Sequence, residues 1–163
     1  MGHTKQELDH IAIIKEFMLT TYDPKRASAD ALSDLCAPGN RFIAPTTFPE
    51  VQTIEQYTEE QSKLMKQVND LRIVNFDVLF AKENRVCLRY SAEGSHNGEP
   101  HGEIQPTGRR ANWDAAAIFR LENGKIAEFI KEWNKLSMWE QLGWPPEECR
   151  IFPEPEFSAE KAA

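Results

Sequence analysis

The sequence predicts an α+β fold: three N-terminal helices packed over a strongly curved antiparallel sheet. Three observations lead there. Hydrophobic periodicity is helical through the first 68 residues and switches to a period of two from Leu71 onward. Helical patterns segregated from a run of strands mean α+β rather than alternating α/β. Finally, Arg109–Leu121 and Lys125–Trp133 are two long strand-like runs joined by Glu122-Asn123-Gly124. Asn-Gly between such runs is a strong hairpin signal, because both residues tolerate the positive φ of a tight turn. The first run would span about 40 Å if straight, twice the usual strand, so the sheet must bend through a bulge. Helices over a bent sheet leave a cone-shaped pocket, and any chemistry belongs inside it.

The first helix is expected over Gln6–Tyr22, where Leu8, Ile11, Ile14 and Met18 fall on one face. His10 reads as a surface residue of this helix. Asp23-Pro24 ends it, since the residue before proline avoids helical angles. Ser28 caps a short second helix, Ala29–Cys36, which Ala37-Pro38-Gly39 closes. Arg41–Ala44 is a short extended piece before a loop holding Pro45 and Pro49. Thr53 and Gln56 form a capping box for a third helix reaching about Val68. Tyr57 falls at its boundary with the sheet, the hydroxyl free to find a polar partner.

The strands follow. Arg72–Phe80 alternates, Lys82-Glu83-Asn84 turns, and Arg85–Ser91 alternates again. A loop rich in Gly and His, Glu93–Thr107, precedes the two long strands, giving a four-strand meander. Leu136–Leu142 is a short helix stopped at Gly143 and Trp144-Pro145-Pro146. The expectation is one domain over 1–146 and a polar C-terminal tail over 147–163.

Composition narrows the function classes. A net charge of −7 argues against nucleic-acid binding, which needs clustered Lys and Arg. No apolar run of membrane-spanning length exists, and the polar N-terminus lacks the apolar core of a signal peptide, so no membrane partner and a cytoplasmic location are expected. Cys36, Cys87 and Cys149 have no pairing pattern, so neither disulfides nor a zinc ribbon are expected.

The residues Gly94-Ser95-His96, Pro106-Thr107-Gly108-Arg109, Phe119-Arg120, Asn123-Gly124-Lys125-Ile126 and Gln141-Leu142-Gly143 resemble the SnoaL-like polyketide cyclases. That family shares the nuclear-transport-factor-like cone fold with ketosteroid isomerase and scytalone dehydratase. The resemblance covers the last third of the chain. It implies intramolecular aldol chemistry without metal or organic cofactor, on a small, apolar, enolisable carbonyl substrate. Such a reaction needs a proton-transfer group with a shifted pKa and a donor aimed at the oxygen.

The family's acid/base group is an Asp ahead of Gln-Leu-Gly; the matching position here is Asn134. Asn cannot exchange protons at neutral pH, so it either holds a substrate oxygen or caps the helix at Lys135. Glu132 shares a strand face with Asn134. Asp114, mid-strand beside Trp113, is the first choice of base; its competing reading is an ion pair with Arg72, Arg89 or Arg110. An Arg neighbour would return it to a structural role. Glu128 reads as a solvated side chain. His96 matches a histidine of the family motif and is the second choice. His101 follows it, and no third ligand at metal spacing accompanies the pair. Trp113, Trp133, His101, Tyr90 and Met138 are the expected substrate-binding residues. Lys125–Trp133 is apolar on both parities, which suggests a homodimer packed through the outer sheet face. The alternative to an enzyme is a binding or assembly module that kept the cone and lost the proton-transfer residue.

Overall fold

The computed structural model describes residues 2–150. The part of the expected tail from 151 to 163 lies outside the described residues. Helix α1 spans Lys5–Thr21, α2 Ala29–Ser33 and α3 Ile54–Gln67. Strand β1 spans Cys36–Ile43, β2 Arg72–Lys82, β3 Arg85–Ser95, β4 Arg110–Glu122 and β5 Lys125–Trp133. Helix α4, Lys135–Leu142, and a 3-10 turn at Pro146–Cys149 close the described chain. The strands form one sheet in the order β1-β5-β4-β3-β2. The meander is as expected, but the sheet is not wholly antiparallel, because β1 joins it parallel to β5. Pro38 and Gly39 sit inside β1 although they read as a helix stop. An edge strand tolerates both, since its outer N–H groups need no ladder partner.

The helices begin where the sequence marks them. Thr53 and Gln56 form their capping box on α3, and Thr4 with Glu7 form a second one on α1. Glu7 also accepts from the Glu83 N–H, and His10 Nδ1 lies 2.9 Å from the Glu83 carbonyl oxygen. His10 is therefore buried against the β2–β3 turn and not a surface residue. The buried stripe of α1 runs through Ile14, Phe17 and Met18, and Leu8 faces solvent. Asn123 and Gly124 both take positive φ, 50° and 75°, as the hairpin requires.

Curvature comes from bulges. Register shifts on β2 between Ile73 and Asn75, and between Phe76 and Val78, bring Ile73, Phe76 and Leu79 toward the helices at spacing three. On β5, Leu121 pairs with Ile126 while Arg120 pairs with Glu128, so Ala127 is an inserted residue. That bulge is why Ile126 and Phe129 are both buried despite opposite parity, while Ile130 pairs with Ile118 on the convex face. On β4 the odd positions face the helices: Ala111, Trp113, Ala115, Ala117, Phe119 and Leu121 are buried. Three alanines, Ala111, Ala115 and Ala117, lie among large aromatics at the centre of the concave face.

Candidate functional site

The concave face holds a lysine. Lys131 lies on β5 between Phe129 and Trp133, opposite Ala117, and is 1% exposed. Strand alternation turns all three inward, and the small Ala117 leaves room for the long stem. Its Nζ donates to the Tyr22 hydroxyl at 3.2 Å, and Tyr22 shares a 2.7 Å hydrogen bond with the Tyr90 hydroxyl. Nζ also stands over three aromatic faces: Trp133 at 4.8 Å, Tyr57 at 5.4 Å and Tyr22 at 5.8 Å. Desolvation pulls its pKa down to about 7. Burial raises the pKa of Tyr22, Tyr57 and Tyr90 well above the usual phenol value, so all three remain neutral O–H donors.

Around this amine are further polar atoms. The Tyr57 hydroxyl, Trp113 Nε1, Trp133 Nε1 and Gln61 Nε2 are buried without a well-formed hydrogen bond among the described residues, and the Tyr57 and Trp113 groups lie beside the Tyr22 hydroxyl. Trp113 and Trp133 lie 5.7 Å apart, and Gln61 is one turn beyond Tyr57 on the buried face of α3. Each such unsatisfied group costs about 1–3 kcal/mol. All four can donate. A cluster of donors that no carboxylate bonds among the described residues is matched to a ligand that brings acceptor oxygens.

Two surface grooves flank Phe48, whose ring lies 6.3 Å from both Phe42 and Tyr57. One, of about 510 Å³, is lined by Thr47, Val51, Gln56 and Glu59. The other, of about 300 Å³, is lined by Leu64, Gln67, His101 and Trp139; Phe48, Glu60 and Lys135 border both. Lys135 Nζ donates to the Thr47 carbonyl at 3.0 Å and lies over Phe48 and Trp139. Phe48 thus stands between the grooves and the Tyr57 ring.

The expected substrate-binding residues Tyr90, Trp113 and Trp133 meet in this chamber. Met138 is buried in the core beneath α4. The expected acid/base residues are elsewhere. Asp114 points from the convex face, paired with Arg89 at 2.9 Å and accepting from the Ser91 hydroxyl at 2.7 Å. The Ser91 hydrogen bond, with the Arg89 guanidinium behind it, holds its carboxyl below the usual range. Even-numbered positions of β4 face away from the helices, which places Asp114 beside Arg89 on the convex face and outside the cone. Glu132, opposite Ala116, is exposed on that same convex face. Asn134 is exposed and caps α4, its Oδ1 accepting from Ser137 N at 3.0 Å.

His96 is fully buried and fully used. Its Nδ1 accepts from Trp144 Nε1 at 3.0 Å and from Thr107 N at 3.2 Å, so Nε2–H donates to the Glu99 carbonyl. His101 stacks on Trp144 at 4.0 Å and bonds Gln67 and Glu148. Both histidines pin the β3–β4 loop to the C-terminal segment. No three of His, Cys, Asp or Glu gather as metal ligands among the described residues.

A family model for SnoaL-like polyketide cyclases matches residues 12–142. The chain belongs to the SnoaL-like polyketide cyclase family. A protein from Jannaschia Sp. CCS1 described as a SnoaL-like polyketide cyclase has a similar structure, with TM-score 0.74 and 16% identity over 90% of this chain and 99% of that one. AclR from Streptomyces galilaeus, described as a hydroxylase, gives TM-score 0.68 and 22% identity over 84% and 97%. IdmH from Streptomyces antibioticus, described as a polyketide cyclase, gives 0.64 and 17% over 82% and 98%. Identities this low establish the shared cone fold and nothing finer. None of the curated proteins matches the chain in sequence.

Lys131 and Tyr22 were not among the expected site residues. One signal for Lys131 was available: it has the parity of Phe129 and Trp133, and a lysine on a buried strand face is unusual.

Proposed function

We propose that this SnoaL-like protein is a cofactor-independent enzyme of cyclase, isomerase or dehydratase type, acting in the cytoplasm on an apolar, enolisable carbonyl compound bound inside the cone. What carries the reading is Lys131, an ionisable group held among three aromatic faces and next to a pair of linked phenols. Enolate chemistry needs a proton-transfer group near neutrality and donors at the developing oxyanion. Lys131 meets the first need, and Tyr57, Trp113, Trp133 and Gln61 meet the second. A library of carbonyl compounds screened for increased melting temperature tests it, because a ligand that binds only the folded state stabilises it. Polycarbonyl compounds are expected to raise Tm in the wild type, and to do so less in Lys131→Met. A library in which only acids or amines bind would contradict the reading.

The second reading, a non-catalytic binding or assembly module, draws on one observation: Asp114, Glu132, Asn134 and His96 all lie outside the chamber or are consumed by structure. A ligand that binds in the chamber and is recovered unchanged would favour it.

We also propose a homodimer through the convex sheet face. Val74, Val78, Phe80 and Ile118 are exposed there at 40–55%. Phe80, Cys87, Ile118, Ile130 and Ile43 are successive cross-strand partners, making an apolar row across all five strands. A second copy would cover that row, as isologous interfaces do.

A further inference from the structure

We propose that Lys131 acts as a nucleophile, forming a covalent imine with the carbonyl carbon of its ligand, rather than serving only as a proton carrier; this rests on the reading of the cone as a carbonyl-binding chamber. The geometry separates the two roles. A lysine serving as general base ends each proton abstraction as an ammonium, a compact and strongly hydrated ion. Among the described residues no carboxylate is hydrogen-bonded or ion-paired to Lys131 to compensate it, and its surroundings are ring faces and the Tyr22 hydroxyl. An iminium is larger, delocalised and carries fewer N–H bonds, so burial costs it less, while the three ring faces still favour its charge. Desolvation in an apolar pocket is also how a lysine is freed as an amine nucleophile near neutral pH.

The step balances with the groups present. The neutral Nζ attacks the carbonyl carbon, a C–N bond forms, and the C–O π pair moves onto oxygen. That oxygen takes one proton from nitrogen and one from the Tyr22 hydroxyl, whose phenolate the Tyr90 hydroxyl then stabilises, and leaves as water. The Tyr57 hydroxyl and indole N–H groups, none in a well-formed hydrogen bond among the described residues, hold the oxygen as its charge develops. The Tyr22 phenolate then takes back a proton from the C–H adjacent to the iminium, giving a neutral enamine whose carbon can attack a second carbonyl. Addition of water then frees the lysine. Amine and carbonyl give imine and water, and no oxidant or reductant enters.

The probe is 2,4-pentanedione, which condenses with an amine to a stable conjugated enaminone and one water. The wild-type protein at pH 7 is expected to gain one diketone minus one water by intact mass, with peptide mapping to Lys131. Surface lysines are protonated at that pH and label slowly. The labelling rate should rise with pH and level off just above about 7, where the amine is fully neutral. Lys131→Arg and Lys131→Met should lose the adduct while retaining wild-type circular dichroism; should either fail to fold, the pH profile of the wild type decides. Three results would overturn the proposal: no adduct, adducts spread over surface lysines, or a rate still climbing tenfold per unit at pH 9. Turnover of a carbonyl ligand without any adduct would overturn covalency and leave the enzyme reading standing. An adduct at Lys131 with every ligand recovered unchanged would do the reverse.

Discussion

The Lys131 amine and the Tyr22 hydroxyl meet at 3.2 Å although 109 residues separate them. One comes from β5 and the other from the residue that ends α1, so the contact forms only when helix and sheet dock. It puts a basic group at the head of a hydroxyl chain, Lys131–Tyr22–Tyr90, inside an otherwise aromatic chamber.

That position should cost stability at neutral pH. The folded pKa of Lys131 is about 7, below its ordinary value of 10.5, so between these limits the unfolded chain binds more protons. Stability from this group therefore rises as pH increases from about 7 toward 10.5, and the penalty is full below 7. Lys131→Met, similar in volume and uncharged, should be more stable than the wild type at pH 6–7 by a few kcal/mol, on the order of 1.4 per pKa unit. The advantage should vanish near pH 10.5. Urea denaturation of both proteins across pH 6–10 measures it.

His96 is predicted to be a structural residue. His96→Ala leaves the Trp144 and Thr107 N–H groups without their acceptor, at about 1–3 kcal/mol each. The loss should appear as a lower urea midpoint and a changed Trp144 fluorescence. A variant of unchanged stability that lost only turnover would return His96 to the reacting groups.

Gly98 is where the β3–β4 loop passes closest to α3. A Cβ there would sit 1.9 Å from the Lys66 carbonyl oxygen and 3.0 Å from that of Gln67, both backbone atoms that cannot step aside. Gly98→Ala should therefore cost roughly 1–3 kcal/mol or more by overpacking. Thermal melting reads it directly, and an unchanged Tm would contradict the close approach.

Ile118→Lys on the convex face should convert a dimer into a monomer by placing a charge in the middle of the apolar row, with little change in the folded protomer. Light scattering at micromolar concentration distinguishes the states. A wild type that gives only the single-chain mass would remove the dimer from the account.

Much of the fold was legible because its signals are local: the Asn123-Gly124 turn, the Thr53 capping box, and the change from helical to alternating periodicity. β1 was partly hidden because Pro38 and Gly39 look like breakers when strand position is unknown. The family motif was readable too, and several of its residues hold elements of the fold together. Gly94 lets β3 pass Val68 and Leu71 of the α3–β2 connection, Thr107 Oγ1 donates to the Leu142 carbonyl, and the Gln141 amide pairs with both backbone groups of Asn112. The proposed site escaped because it has no motif. Lys131, Tyr22 and Tyr57 come from three separate elements. The face of Asp114 was not assigned until pairing put the odd positions of β4 inward.

We propose that the chemistry lies at Lys131 inside the cone and not at Asp114 on its outer face. The most direct test is turnover of a carbonyl ligand, found by thermal shift, by Lys131→Met and Asp114→Asn side by side. Lys131→Met is predicted to lose about a hundredfold or more in kcat, the usual size for a lost acid/base or nucleophilic group, with Asp114→Asn within about twofold of wild type. Full activity in Lys131→Met, or a hundredfold loss in a folded Asp114→Asn, would contradict it.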